Sequence, residues 1–178
     1  SGLAVAAVVG LLGFGLDRGR SDDPAKNGEA WTADRPSGSG GNEAWSDELQ
    51  ASIESQLDSV TFSQFAGVEM PDFSSEYLNY ADGRRATWKP PSGPCRAELT
   101  VWMFGGSTLF GFGARDDHTI ASELAAAAWE DGVRLHVENW AVPGDVAWQE
   151  NRRLQRALTT TTSRPDLVVF LDGFNDLR

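Results

Sequence analysis

Apolar and polar positions change rhythm several times along this chain. Ser1 to Leu16 is an uncharged run, mostly Ala, Val, Leu and Gly. Residues 17 to about 45 then lose almost all apolar character and carry Gly, Ser, Asp, Asn and Pro, including Ser37-Gly38-Ser39-Gly40-Gly41-Asn42. That composition predicts a flexible linker. From Ser46 a helical period sets in, with Leu49, Ile53 and Leu57 four residues apart and Ser46 placed as its N-terminal cap. Residues 60 to 97 supply Phe62, Phe65, Phe73, Tyr77 and Tyr80 without a clean period. They predict an irregular extension covering the domain, with a turn at Ala81-Asp82-Gly83-Arg84.

From Ala97 the pattern becomes strand, helix, strand, helix, strand. Leu99 to Phe104 predicts a first strand. Asp117 to about Asp131 predicts a helix with Ile120, Leu124, Ala127 and Ala128 on its inner face, Asp116 or Asp117 as its cap, and Gly132 as its end. Val133 to Trp140 predicts a second strand and Asp145 to about Thr160 a second helix. Leu167-Val168-Val169-Phe170-Leu171 is uninterruptedly apolar, as a strand buried on both faces of a parallel sheet requires. The alternation predicts an α/β fold, a three-layer α/β/α sandwich around a parallel sheet. The expected organisation is an apolar segment at 1–16, a linker at 17–45, a covering extension at 46–96 and the α/β domain at 97–178.

Charge narrows the partners. Fifteen Lys and Arg face twenty-six Asp and Glu, a net charge of −11. Such a surface excludes a nucleic-acid partner, which needs clustered cations. The single cysteine, Cys95, lies in a loop and excludes an internal disulfide and any multi-thiolate metal site. No cofactor or metal is called for. The run Ser1–Leu16 is shorter than the ~20 apolar residues of a spanning helix. Because the chain opens at Ser1, it reads as the tail of a membrane anchor or signal segment. Arg18 and Arg20 favour a cytoplasmic downstream flank. The layout of an anchor followed by a long linker favours the opposite, a membrane-anchored extracytoplasmic domain.

Three glycine-containing stretches fall where strands should end: Phe104-Gly105-Gly106-Ser107-Thr108, Pro143-Gly144-Asp145 and Gly173-Phe174-Asn175-Asp176. In an open α/β sheet such loops gather at the carboxyl edge, where ligands bind. They would bring together the Ser107 hydroxyl, the Gly144 N–H and the Asn175 side-chain amide. A nucleophile with two further donors suits acyl transfer, since a donor aimed at a developing oxyanion contributes roughly 2.7–4 kcal/mol. Asp176 reads as the cap of a following helix. A phosphate-binding reading of Gly105 to Gly113 fails on pattern: it is neither G-x-G-x-x-G nor a Walker sequence, and it has no lysine.

Together the three stretches resemble, in order and spacing, the first three sequence blocks of the SGNH hydrolases, also called GDSL esterases and lipases. The resemblance covers about residues 97 to 178. Gly106 and Thr108 replace the Asp and Leu of the first block. By resemblance, Ser107 is the nucleophile and first oxyanion donor, with the Gly144 N–H and the Asn175 side chain as the other donors. The fold implied is the flavodoxin-like sandwich of that family, cut after about three strands. The family's Asp-x-x-His, which supplies base and orienting acid, has no counterpart here. Of the two histidines, His118 lies at a helix start and His136 lies mid-strand, too far back to reach the strand tips. The chain therefore reads as the N-terminal portion of a longer enzyme, with little activity by itself.

Two functions follow. One is a serine esterase acting on an acyl ester of a lipid or surface glycan, hydrolysing the acyl group or transferring it. The other is a non-catalytic membrane-anchored binding module for carbohydrate, with Trp140 and Trp148 as stacking platforms.

Overall fold

A computed structural model describes residues 4–5, 44–171 and 175–177. Among the described residues the main sheet has seven strands. In chain order the elements are β1 (Ala4–Val5), α1 (Ala44–Asp58), β2 (Thr61–Ser63), β3 (Gly67–Glu69), β4 (Phe73–Ser74), β5 (Asn79–Ala81) and β6 (Arg84–Arg85). There follow β7 (Ala97–Gly105), α2 (Ser107–Phe110), a 3-10 turn at Asp116–His118, α3 (Ile120–Glu130), β8 (Val133–Asn139), α4 (Ala147–Thr160), β9 (Leu167–Leu171) and a 3-10 turn at Asn175–Leu177. The sheet order is β1-β9-β7-β8-β6-β5-β4. β7 is central, pairing in parallel with β8 through Val101↔Val137 and with β9 through Met103↔Val169.

The residue alternation of β7 divides the core. Val101 and Met103 join Leu135, Val137, Leu109, Ala121 and Ala125 in one cluster, together with Leu49 and Ile53 from α1. Trp102 and Phe104 point the other way, into a cluster with Val168, Trp140 and Ala157 of α4. Successive side chains of a strand face opposite sides, so one strand builds both clusters. Sequence and structure agree on an α/β arrangement of these strands and helices.

Four local expectations are corrected. The segment before β7 does more than cover the domain: β6 pairs antiparallel with β8 at Arg85↔Asn139, and β5 and β4 continue that edge. Its strands are only two or three residues long, too short to show a period. The turn between β5 and β6 does form where expected. Asp82 and Gly83 have φ of 52° and 78°, both positive, as a two-residue hairpin of the primed type requires. α1 begins at Ala44, so Ser46 lies inside it, and Leu57 is exposed while Leu49 and Ile53 are buried.

α3 starts later than expected. Its cap is Thr119, whose Oγ1 accepts from the Ser122 N–H, while Asp116 and Asp117 belong to the preceding 3-10 turn. Its inner face is also rotated: Ala121, Ser122 and Ala125 are buried, whereas Ile120 is 43 % exposed and Leu124 38 %. Buried Ser122 donates to the Asp116 carbonyl and so turns this stripe inward. Finally, Asp176 caps an earlier helix. Its Oδ1 accepts from the N–H of Ala147, the first residue of α4, at 3.0 Å.

Of the apolar segment Ser1–Leu16, only Ala4–Val5 are described, and they pair in parallel with β9. The rest of it, and the linker as far as residue 43, lie outside the described residues. Among the described residues, no helix is long and apolar enough to cross a membrane.

Candidate active site at the carboxyl edge of the sheet

β7 ends in two glycines for separate reasons. A Cβ on Gly105 would lie 2.9 Å from both Leu109 Cβ and the Leu171 carbonyl oxygen, so α2 can fold back tightly only without one. A Cβ on Gly106 would lie 2.5 Å from Asn175 Nδ2 and 3.4 Å from the Asp145 carbonyl oxygen. Ser107 follows immediately and opens α2, so its N–H has no acceptor within the helix. It is half-buried. The Ser107 carbonyl accepts from the N–H groups of Gly111 and Phe112, both at 3.1 Å, which closes the short helix.

The second loop runs alongside. Beyond β8 the backbone keeps following β7, with the Trp140 N–H donating to the Met103 carbonyl at 2.8 Å and the Val142 N–H to the Gly105 carbonyl at 3.1 Å. The chain then turns at Pro143-Gly144. The Asp145 N–H donates to the Val142 carbonyl at 3.1 Å and Gly144 has φ of +86°, the signature of a type II turn. Gly144 is exposed, and a Cβ there would meet nothing within 4 Å. Glycine is needed at this position for its backbone angle and not for space.

Asn175 ties the third loop to the other two. Its Nδ2 donates to the Asp145 carbonyl at 2.8 Å and sits directly over Gly106. The structure therefore places Ser107, Gly144 and Asn175 on three loops whose adjoining residues, Gly106, Asp145 and Asn175 itself, touch. Gly173 and Phe174 of the third stretch lie outside the described residues.

The histidines are elsewhere. His136 pairs across the sheet with Thr100, so it lies five residues behind Gly105, or roughly 17 Å along the strand. Its Nε2 meets Glu98 Oε1 at 2.7 Å. His118 Nδ1 meets Glu123 Oε1 at 2.8 Å on the surface of α3. Trp140 is a core residue, stacked on Phe104 at 6.1 Å between ring centroids, while Trp148 in the first turn of α4 is 57 % exposed.

Four buried polar residues support the loops, and sequence reasoning gave none of them this role. Asn139 Nδ2 donates to the Leu109 carbonyl at 2.9 Å. Arg85 grips the far end of α2, donating to the Phe110 and Gly111 carbonyls at 2.9 and 2.8 Å, with Asp116 Oδ1 3.0 Å from its Nε. Arg153 forks onto both carboxylate oxygens of Asp145. Burial pushes the Asp145 carboxyl up, against the pull of Arg153. A signal for Arg153 existed: it shares a helix face with Ala157, where a charge is out of place unless partnered. Among the described residues, no group of three or more His, Cys, Asp or Glu is arranged to hold a metal ion.

No protein-family model matches the chain, and no curated protein matches it. Among solved structures it is similar to AlinE4, described as an SGNH-hydrolase family esterase, at 27% identity and a TM-score of 0.42, covering 49% of this chain and 44% of that one. Two point variants of the same esterase give the same TM-score and coverage at 27% and 26% identity. The chain thus spans under half the length of these proteins.

Proposed function

We propose that this chain is part of a serine esterase of SGNH type, hydrolysing or transferring an acyl group through an acyl-serine intermediate. The supporting observation is the meeting of Gly106, the Asp145 carbonyl and Asn175 Nδ2, which lie next to or within the stretches that carry Ser107, Gly144 and Asn175. In this reading Ser107 Oγ attacks the ester carbonyl and loses its proton to a base. The oxyanion is met by the N–H groups of Ser107 and Gly144 and by the second N–H of Asn175. The bond to the alcohol then breaks, leaving an acyl-serine that water or a second alcohol resolves.

The base is assigned to a histidine outside these 178 residues, because His136 lies behind the strand tips and both histidines are paired with glutamates. The same reading makes the sheet the first part of a three-layer α/β/α sandwich. It also puts the domain outside the cytoplasm, with an acylated lipid or glycan as substrate. The test is a full-length form assayed on a p-nitrophenyl ester and a fluorophosphonate probe. Turnover and labelling should both vanish in Ser107→Ala; unchanged turnover would remove Ser107 as nucleophile.

A second reading, a carbohydrate-binding module without catalysis, is favoured by one observation, the exposure of Trp148 beside the second loop. It predicts sugar binding that Trp148→Ala abolishes, with no probe labelling at Ser107.

A further inference from the structure

We propose that Arg153 is a positioning residue for acyl transfer, acting through a buried clamp on Asp145 that fixes the oxyanion-binding turn. This rests on the reading of Gly144 and Asn175 as oxyanion donors. Asp145 is fastened by each of its hydrogen-bonding groups. Its N–H closes the Gly144 turn on the Val142 carbonyl at 3.1 Å. Its carbonyl accepts from Asn175 Nδ2 at 2.8 Å. Its carboxylate takes the Nε and Nη2 of Arg153, the latter at 3.1 Å.

The clamp is buried and anchored. Asp145 is 2 % exposed and Arg153 6 %. Arg153 also donates through Nη2 to the Val68 carbonyl, and its Nη1 lies 3.5 Å from Glu69 Oε2. One guanidinium thus joins α4, β3 and the turn. An ion pair needed only for stability would serve wherever the core tolerates it. This one holds the residue whose main chain sets both proposed donors, the Gly144 N–H before it and the Asn175 amide beyond it.

The fork matters as well as the charge. Two parallel N–H donors fix the plane of the carboxylate, which a lysine ammonium, a single point charge, does not. Arg153→Lys should therefore keep the charge balance and lose the alignment. Donors at an oxyanion are effective only when held where charge develops. A turn free to rock would lower kcat with little change in KM.

The experiment uses the full-length protein with Arg153→Gln and Arg153→Lys. It measures kcat per serine titratable by fluorophosphonate, which corrects for any unfolded fraction, together with hydrogen exchange. The expected result is a fall in kcat of roughly tenfold or more for Gln, a smaller fall for Lys, and KM nearly constant. Exchange across residues 142–147 should quicken while that of 97–105 does not. Should Arg153→Gln not fold, the Lys variant decides by the same measures. A wild-type kcat per titrated serine, or unaltered exchange of the turn, overturns the clamp alone. Absence of Ser107 labelling in the wild type overturns the esterase reading, and the clamp's catalytic role with it.

Discussion

Asn175 Nδ2 donates to the carbonyl oxygen of Asp145 at 2.8 Å, joining two loops thirty residues apart in sequence. The bond fixes one amide proton of Asn175 and thereby aims the other. It also explains Gly106, over which the same nitrogen sits.

Gly106→Ala should displace Asn175, because the new Cβ would lie 2.5 Å from Nδ2. The backbone itself tolerates a side chain, with φ of −87°. Stability should therefore change little, while ester hydrolysis by the full-length protein falls on the order of tenfold to a hundredfold. Turnover at the wild-type level would show that Asn175 is not a working donor.

Gly144 makes the opposite case. Its φ is +86° with open space around it, so Gly144→Ala should cost about 1–2 kcal/mol in backbone strain alone. Gly144→Asn should cost less, since asparagine tolerates that region. Urea denaturation of both variants checks the order; equal losses would point to a packing cause.

Arg85→Met should be the most damaging of these substitutions. It strands the Phe110 carbonyl, takes one of two donors from the Gly111 carbonyl and leaves Asp116 with no cation at 3.0 Å. Breaking a buried ion pair from one side typically costs about 3–5 kcal/mol. The expected outcome is a large drop in the denaturation midpoint, and a drop no larger than that of Gly144→Ala would refute it.

Alkaline pH gives a separate handle. Burial pushes the Tyr80 hydroxyl up to about 12. The fold favours the neutral ring, so this contribution is fully present below pH 10 and is lost as pH rises through 10 to 12. Its size is about 2–3 kcal/mol. Tyr80→Phe should remove this alkaline loss, measured as stability against pH. Tyr77, the other tyrosine, is also raised, first by its hydrogen bond to Glu76.

What was legible in the sequence follows from the strength of each local signal. The unbroken apolar run 167–171 and the alternation of strand, helix and strand from Ala97 are strong signals and positioned β7, β8 and β9. Asp82-Gly83 specified its turn because few other pairs accept two positive φ angles. Ser107, Gly144 and Asn175 were readable as strand-end residues, and the structure joins their loops.

The supporting residues were hidden for a physical reason. Arg85, Asn139, Asp145 and Arg153 take their meaning from partners distant in sequence, such as Phe110 for Arg85 and Leu109 for Asn139. The face of α3 was misjudged because Ile120 and Leu124 are its most apolar residues, yet small alanines and a hydrogen-bonded serine sit against the core. The strands β4 to β6 were missed because strands of two or three residues owe their existence to the neighbour they pair with.

The division of the core by β7 also gives each side of the sheet its own optical signature. Trp102 and Trp140 stand 5.5 Å apart at 55° in the cluster beneath α4, close enough for their indole transitions to couple in near-ultraviolet circular dichroism. Tyr80 and Phe110 report from the opposite cluster. Loss of the indole couplet while the Tyr80 titration stays native would identify an intermediate open on the α4 side alone. Simultaneous loss of both signals would mark the two clusters as one cooperative unit.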